Sequence, residues 1–417
     1  MPRATLIRGA RQLLTLRGTP GPRRGPDLRN LAIIQDGAVL IVDGRIHDVG
    51  PSRRLENLAL ARQATLIDAS GRVVLPGFVD CHTHLVSGPA RIPDYESHSA
   101  AAPALARAIH ELSPRTLLAQ ALHTTKEAVR HGTTTLESKS GIGLTEANEI
   151  KILRVHSALR KQSVPLTSTF LCAQPAPNYV SPDYPNSPDQ YLDWACAHML
   201  PLIHRRKLAE FADIRCHQSA FTVEQASRFL VAARRLGFGL KLCMDGESPP
   251  GAIALAVELG AASVGNPLNV TPDEATLLAQ SKTIAVLLPG PAFYLGTEKY
   301  PPARMSIDAG VAIALASHYH PQLSPSHSMQ MMIALACGAM HMTPAEAIAA
   351  ATINAAHAVR QASNTGSIEP AKNADLLILG VPDYREIPYH FGMNLVDLVM
   401  KNGIVLMERS EVKWPTP

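Results

Sequence analysis

Along the middle of the chain, short apolar runs rich in β-branched residues alternate with longer Ala-, Leu- and Arg-rich segments of helical period. Val223-Glu224-Gln225-Ala226-Ser227-Arg228-Phe229-Leu230-Val231-Ala232-Ala233-Arg234-Arg235-Leu236-Gly237 predicts an amphipathic helix closed by glycine, and Gly239-Leu240-Lys241-Leu242-Cys243 predicts the strand that follows. A second unit pairs the strand-like Thr283 to Leu288 with a helix-like stretch from Pro302 to Asp308, then returns to a strand at Val311 to Ala316. Strand–helix alternation over roughly 300 residues implies a parallel sheet, most often closed into a barrel.

The two ends have a different texture. Between Ala32 and Val49, runs such as Ala38-Val39-Leu40-Ile41-Val42 are punctuated by Asp36-Gly37 and Asp43-Gly44, both hairpin turn signals. Near the other terminus, Ala374-Asp375-Leu376-Leu377-Ile378-Leu379 and Leu395-Val396-Asp397-Leu398-Val399-Met400 flank turns and lead into Lys401-Asn402-Gly403-Ile404-Val405. Both termini therefore predict antiparallel β structure. The chain contains no short-period repeat and no low-complexity segment.

Composition narrows the class. With 417 residues, 46% apolar and 18% charged, the chain can bury a large core, which excludes disordered and fibrous classes. The net charge of +4 is small, and its densest basic stretch, Arg3 to Arg29, is interrupted by Leu, Gly and Pro. That stretch reads as solvated surface, so no nucleic-acid partner is expected. Cys81, Cys172, Cys196, Cys216, Cys243 and Cys337 lack CxxC spacing or a disulfide-framework pattern, which points to a reducing compartment. The N-terminal residues lack a signal-peptide apolar core, and no apolar run reaches the roughly 18 residues of a membrane span. The expectation is a cytoplasmic protein with no membrane partner.

The segment richest in chemistry is Val73-Val74-Leu75-Pro76-Gly77-Phe78-Val79-Asp80-Cys81-His82-Thr83-His84. Side chains at i and i+2 on a strand point the same way, so His82 and His84 can present two imidazoles to one cation. Preceded by an apolar strand and Pro-Gly-Phe-Val-Asp, the pair resembles the first-strand metal motif of the amidohydrolase superfamily.

Further segments make the resemblance narrower. Ala10 to Gly18, Glu137-Ser138-Lys139-Ser140-Gly141, Ala220 to Gln225, Ala285-Val286-Leu287-Leu288-Pro289-Gly290, Lys299 to Arg304, Ala351 to Ala356 and Pro388-Tyr389-His390-Phe391-Gly392 are similar to imidazolonepropionases, which open the imidazolone ring in histidine breakdown. The similarity runs nearly end to end. It implies an α/β fold: a (β/α)8 TIM-like barrel over residues 77–365, with a small β-sandwich domain formed by the N-terminal segment 1–76 and the C-terminal segment 366–417. A homodimer is expected only by family analogy.

The resemblance breaks at the chemistry, and a shared scaffold does not carry function by itself. Where the family has a metal-binding His followed by Ala-Asp and Gln or Glu, this chain has Cys243-Met244-Asp245-Gly246-Glu247, so the ligand becomes a thiol and the carboxylate moves to Glu247. The family His that polarises the scissile carbonyl is Asn266, which can donate a hydrogen bond but cannot shuttle a proton. The family Asp that binds metal and accepts a proton from the nucleophilic water is His318, in Ala316-Ser317-His318-Tyr319-His320-Pro321. His217 stands at a position usually acidic, and His320 shares the strand face of His318 if period two holds.

Substrate positions are mixed as well. Arg91 matches the family Arg expected to bind a propionate, which suits an Arg fork. The family's Tyr and His contacts to the ring are Ile142 and Gln174 here. If the family geometry holds, His82, His84, Cys243 and His318 form a ligand set suited to a Zn or Fe ion, although the short Cys243 side chain can stop short of it.

Three readings follow. The first is a remodelled hydrolase acting on a cyclic C–N bond of a small, carboxylate-bearing nitrogenous ring compound, with His318 or Glu247 as base. The second is a non-hydrolytic pseudoenzyme or ligand-binding protein. The third is a metal-independent lyase, isomerase or cyclase on the same scaffold, using the histidine cluster for proton transfer.

Overall fold

The computed structural model describes residues 3–90, 92–96, 102–162, 164–173, 187–246 and 249–409. Among the described residues, sixteen strands fall into two sheets. The terminal sheet is built by β1 (Ala4–Leu14), β2 (Ile33–Val42), β3 (Arg45–Pro51), β4 (Thr65–Asp68) and β5 (Val73–Pro76), together with strands from the far end of the chain. The barrel comprises β6 (Phe78–Asp80), β7 (Thr133–Lys139), β8 (Leu166–Cys172), β9 (Phe211–Arg215), β10 (Gly239–Gly246), β11 (Ser263–Pro267), β12 (Ile284–Leu287) and β13 (Ile313–Leu315). β14 (Leu376–Leu379), β15 (Val396–Lys401) and β16 (Ile404–Glu408) return to the terminal sheet, whose order is β16-β15-β14-β5-β1-β2-β3 with β4 beside β1. The small β-sandwich is thus assembled from both ends of the chain.

The chain crosses from one sheet to the other at Gly77. A Cβ there would lie 2.2 Å from the Thr134 hydroxyl oxygen, so only glycine lets β5 run directly into β6. Neighbouring barrel strands pair in parallel from β6 to β13 in chain order. The ring is drawn together past the strand ends by a parallel bridge between Thr83 and Tyr319, where the His84 amide donates to the Tyr319 carbonyl at 2.8 Å.

Local sequence explains the elements. The helix Val223–Arg235 opens on a reciprocal capping box between Thr222 and Gln225, buries Ala226, Phe229, Leu230 and Ala233, and leads into β10. Asp43-Gly44 forms the β2–β3 turn, with both residues at positive φ (50° and 81°). Asp36-Gly37, the other expected turn, lies inside β2 instead. Asp36 takes φ 45°, and a Cβ on Gly37 would come within 2.5 Å of the Leu13 side chain, so this glycine serves close strand approach and not reversal.

The barrel interior has two unlike halves. Val79, Cys81, Ile284, Val286, Leu288, Ala312, Ala314 and Ala316 form an apolar half, packed against Ala355, Ala356, Ala358 and Val359. Its counterpart carries Glu137 and Lys139 of β7, Asp213 of β9 and Lys241 of β10, all buried. Lys241 donates to Glu137 at 2.6 Å, Lys139 pairs with Asp213, and Thr169 donates to Glu137 at 2.5 Å. Two ammonium groups against two carboxylates leave this layer electrically balanced, which is what makes its burial tolerable. No helix among the described residues is long and apolar enough to cross a membrane.

Candidate functional site

Three imidazoles meet where the barrel closes. His82 and His84 follow β6, and His318 follows β13; all are buried, and one ligand nitrogen from each lies within 4.8 Å of the others. The His82 and His318 rings stack at 4.8 Å between centroids, and His84 stands 6.0 Å from His82 and 5.7 Å from His318. The strand β6 ends at Asp80, so the two β6-side imidazoles converge from the loop beyond the ladder.

Protonation favours lone pairs at this point. Burial, reinforced by the Lys139 ammonium and the neighbouring imidazoles, pushes the pKa of His82 well below the usual value. Burial and the adjacent His320 and His318 do the same for His84. Both rings are therefore neutral near pH 7. His82 Nε2 and His84 Nδ1 are buried and accept or donate no hydrogen bond among the described residues, which leaves two orphaned polar atoms in the cluster. Neutral imidazole nitrogens so arranged fit a borderline cation such as Zn²⁺ or Fe²⁺.

The charged layer below is a feature that the sequence reading passed over. Burial works against the Lys139 ammonium, but Asp213 and Glu137 outweigh it and hold its proton more tightly than usual. Its positive charge adds to burial, the larger cause, in lowering the pKa of His82, and adds a smaller share at His84. The signal was present in the alternation of Glu137 and Lys139 along one strand.

Other expected residues take varied positions. His320 lies 5.4 Å from His84 and 6.1 Å from His318 between ring centroids, with its ring nearly perpendicular to both. Period two does not bring it there: both residues follow the end of β13, and His318 has φ 50°. A turn does so, since the Gln322 amide donates to His320 Nδ1 at 3.2 Å and His320 bridges to Ser324. The neutral ring consequently carries its proton on Nε2.

Cys243 is buried on β10, in register with Gly265 of β11. A Cβ on Gly265 would lie 3.4 Å from the His82 ring and 3.7 Å from the Cys243 Cα, so Cys243 is one small residue away from His82. Its sulfur is nevertheless outside the group of three ligand atoms that come together, in keeping with its short reach. Asn266, also buried, holds φ 52°, and its Oδ1 has no hydrogen-bond partner among the described residues. His217 follows β9 and is fixed through Nδ1 by Ser219, whose amide donates at 3.1 Å. Ile142 packs partly buried against the main core. Arg91, Gln174 and Glu247 lie outside the described residues.

Comparison with known proteins agrees with this geometry. The model described as "Amidohydrolase family" matches residues 206–406. The imidazolonepropionase of Alkaliphilus metalliredigens is 37% identical over 420 residues, covering 98% of this chain and 99% of the relative. That of Geobacillus kaustophilus is 39% identical over 426 residues, with 98% and 99% covered. The chain is an imidazolonepropionase-like member of the amidohydrolase superfamily. The fold extends to proteins of low sequence identity: an adenosine deaminase from Xanthomonas campestris with bound zinc superposes with a TM-score of 0.69 at 17% identity, over 96% of this chain and 92% of that one. Within the family, this member is divergent at the site, with imidazole, thiol and amide at His318, Cys243 and Asn266.

Proposed function

We propose that the protein is a metal-dependent amidohydrolase that opens a cyclic C–N bond in a small, carboxylate-bearing nitrogenous ring compound. The observation that supports this most is the convergence of three buried histidines, with unpartnered nitrogens on His82 and His84, at the closing point of a family barrel. His82, His84 and His318 would hold a zinc or iron ion, and zinc is bound in the superposing adenosine deaminase. Such an ion supplies Lewis-acid polarisation of the substrate carbonyl and acidification of water.

The chain's own groups divide the remaining work. As a ligand, His318 cannot also take a proton through the same lone pair, so the base is Glu247, the displaced family carboxylate. His320, with its proton on Nε2, is set to donate to the oxygen or nitrogen on which negative charge develops. Asn266 Oδ1 accepts a ring N–H of the substrate, which would satisfy the atom that is otherwise orphaned.

A ligand-binding protein without turnover is the second reading, supported by the absence of any carboxylate from the convergent group among the described residues. Metal analysis of protein purified without added metal tests the first reading. One zinc or iron per chain is expected, lost in His82→Ala and His84→Ala, together with hydrolysis of a cyclic amide carrying a carboxylate. Stoichiometric metal without hydrolysis would favour the second reading, and metal-free protein with turnover would favour proton-transfer chemistry by the histidines alone.

A further inference from the structure

We infer that Arg215 is a substrate-binding residue: its guanidinium receives a carboxylate of the ligand on the β9 side of the barrel mouth. Strand alternation places it there. Phe211 and Asp213 point into the barrel, the first with its ring 4.8 Å from the Lys241 ammonium and the second paired with Lys139. Between them, Ala212 and Ile214 belong to the main core outside the barrel. Arg215 is the next inward position and the last residue of β9, so it emerges above the charged layer at the C-terminal rim.

Register ties it to the imidazoles. Arg215 is paired with Cys243 on β10, Cys243 with Gly265 on β11, and a Cβ on Gly265 would lie 3.4 Å from the His82 ring. The guanidinium and the three-histidine cluster therefore border the same opening.

Its bonding is anomalous. Arg215 is half-buried, its Nε is fully buried without a partner, and the guanidinium makes no hydrogen bond or ion pair among the described residues. The other buried cations among the described residues are satisfied: Lys139 by Asp213, Lys241 by Glu137, Lys401 by Asp375 at 2.7 Å, and Arg23 by carbonyls including Leu16 at 2.9 Å. An unpaired guanidinium in a partly desolvated site is costly, and a ligand carboxylate would compensate it with a charge-assisted fork. One positive charge matches one carboxylate. Asp213, the inward position before it, pairs with Lys139 through Oδ2 and makes no hydrogen bond or ion pair with Arg215, which leaves the guanidinium to a ligand.

This inference rests on reading the mouth as a small-molecule site, but its test does not use turnover. Calorimetric titration with 3-(imidazol-4-yl)propanoate and with its neutral amide measures how strongly the protein prefers the charged form. Wild type is expected to bind the acid about tenfold or more tighter than the amide. Arg215→Met should bring that ratio close to one, and Arg215→Lys should retain part of it, with metal content unchanged in both. The Met variant should melt at or above the wild-type temperature, since it removes a charge without an internal partner. An acid-to-amide ratio that is absent in wild type or unchanged in Arg215→Met overturns the inference. So does a marked fall in melting temperature, which would reveal a structural role. If the acid preference tracks Arg215 while metal and hydrolysis are both missing, the hydrolase reading fails and this one stands.

Discussion

Asp80 accepts two hydrogen bonds from Ser317, one from the amide at 3.0 Å and one from the hydroxyl at 2.5 Å. The Ser317 hydroxyl oxygen in turn accepts from the Tyr319 amide at 3.0 Å, so the backbone on both sides of His318 is pinned to the first barrel strand. That clamp offsets the cost of holding a non-glycine residue at φ 50°, of order 1 kcal/mol or more.

Loss of the clamp should therefore loosen His318. Ser317→Ala is expected to cost about 1–3 kcal/mol of stability and to weaken zinc binding by roughly 10–100-fold. Competition with a chelator of known affinity measures the second quantity. A variant that is less stable but binds zinc as tightly as wild type would show that the clamp serves the fold alone.

The buried charge layer predicts a non-additive result. Lys139→Met leaves Asp213 buried without its cation, and Asp213→Leu leaves Lys139 without its anion; each should cost about 3–5 kcal/mol. The double substitution removes both charges and should cost less than the sum of the two. Urea unfolding of the four proteins in the cycle gives the coupling, and additive losses would mean that the pair is not a unit.

This layer also shows where sequence reading stops. The helix at Val223–Arg235 and the turn at Asp43-Gly44 were legible because their signals are local: a capping pair three residues apart and a dipeptide that tolerates positive φ. His82 and His84 were legible from their motif. Lys139 and Asp213 lie 74 residues apart and Glu137 and Lys241 lie 104 apart, so nothing local marks their charges as interior. His320 was placed by strand periodicity, yet its position comes from a turn that begins after β13 has ended.

A pH-dependent stability follows from His156. This buried ring bridges Ser138 and Ser168 at 2.9 Å on each side, and burial, with Arg160 nearby, pushes its pKa down to about 3. The unfolded ring takes up a proton below about 6.5, whereas the folded one does so only near 3, so its contribution is complete above about 6.5 and is lost as pH falls through that window. The slope is about 1.4 kcal/mol per pH unit. Asp80 opposes it below its own value of about 6, because burial raises that carboxyl and the folded state gains a proton there. His156→Gln keeps two polar contacts and removes the titration. Its urea midpoint should fall less than that of wild type between pH 7.5 and pH 5; equal slopes would remove His156 as the cause.

The remodelled site itself predicts weak imidazolonepropionase activity. The resemblance to the family implies that His318 replaces an aspartate base, Cys243 a ligand histidine and Asn266 a carbonyl-polarising histidine. Loss of a general base alone costs roughly 10²–10⁴-fold. Turnover of 4-imidazolone-5-propanoate should therefore lie at least about a hundredfold below that of an ordinary family member. Because Cys243 and Asn266 are held in the barrel ladder and His318 by the Ser317 clamp, restoring the side chains should restore part of the chemistry. Cys243→His should tighten zinc retention by adding a fourth ligand with longer reach. The combination of Cys243→His, Asn266→His and His318→Asp should raise turnover above wild type. Steady-state assays of the wild type and the triple variant, each with its metal content measured, decide the matter. A wild-type rate within about tenfold of an ordinary member would mean that imidazole, thiol and amide do the work of the residues they replace.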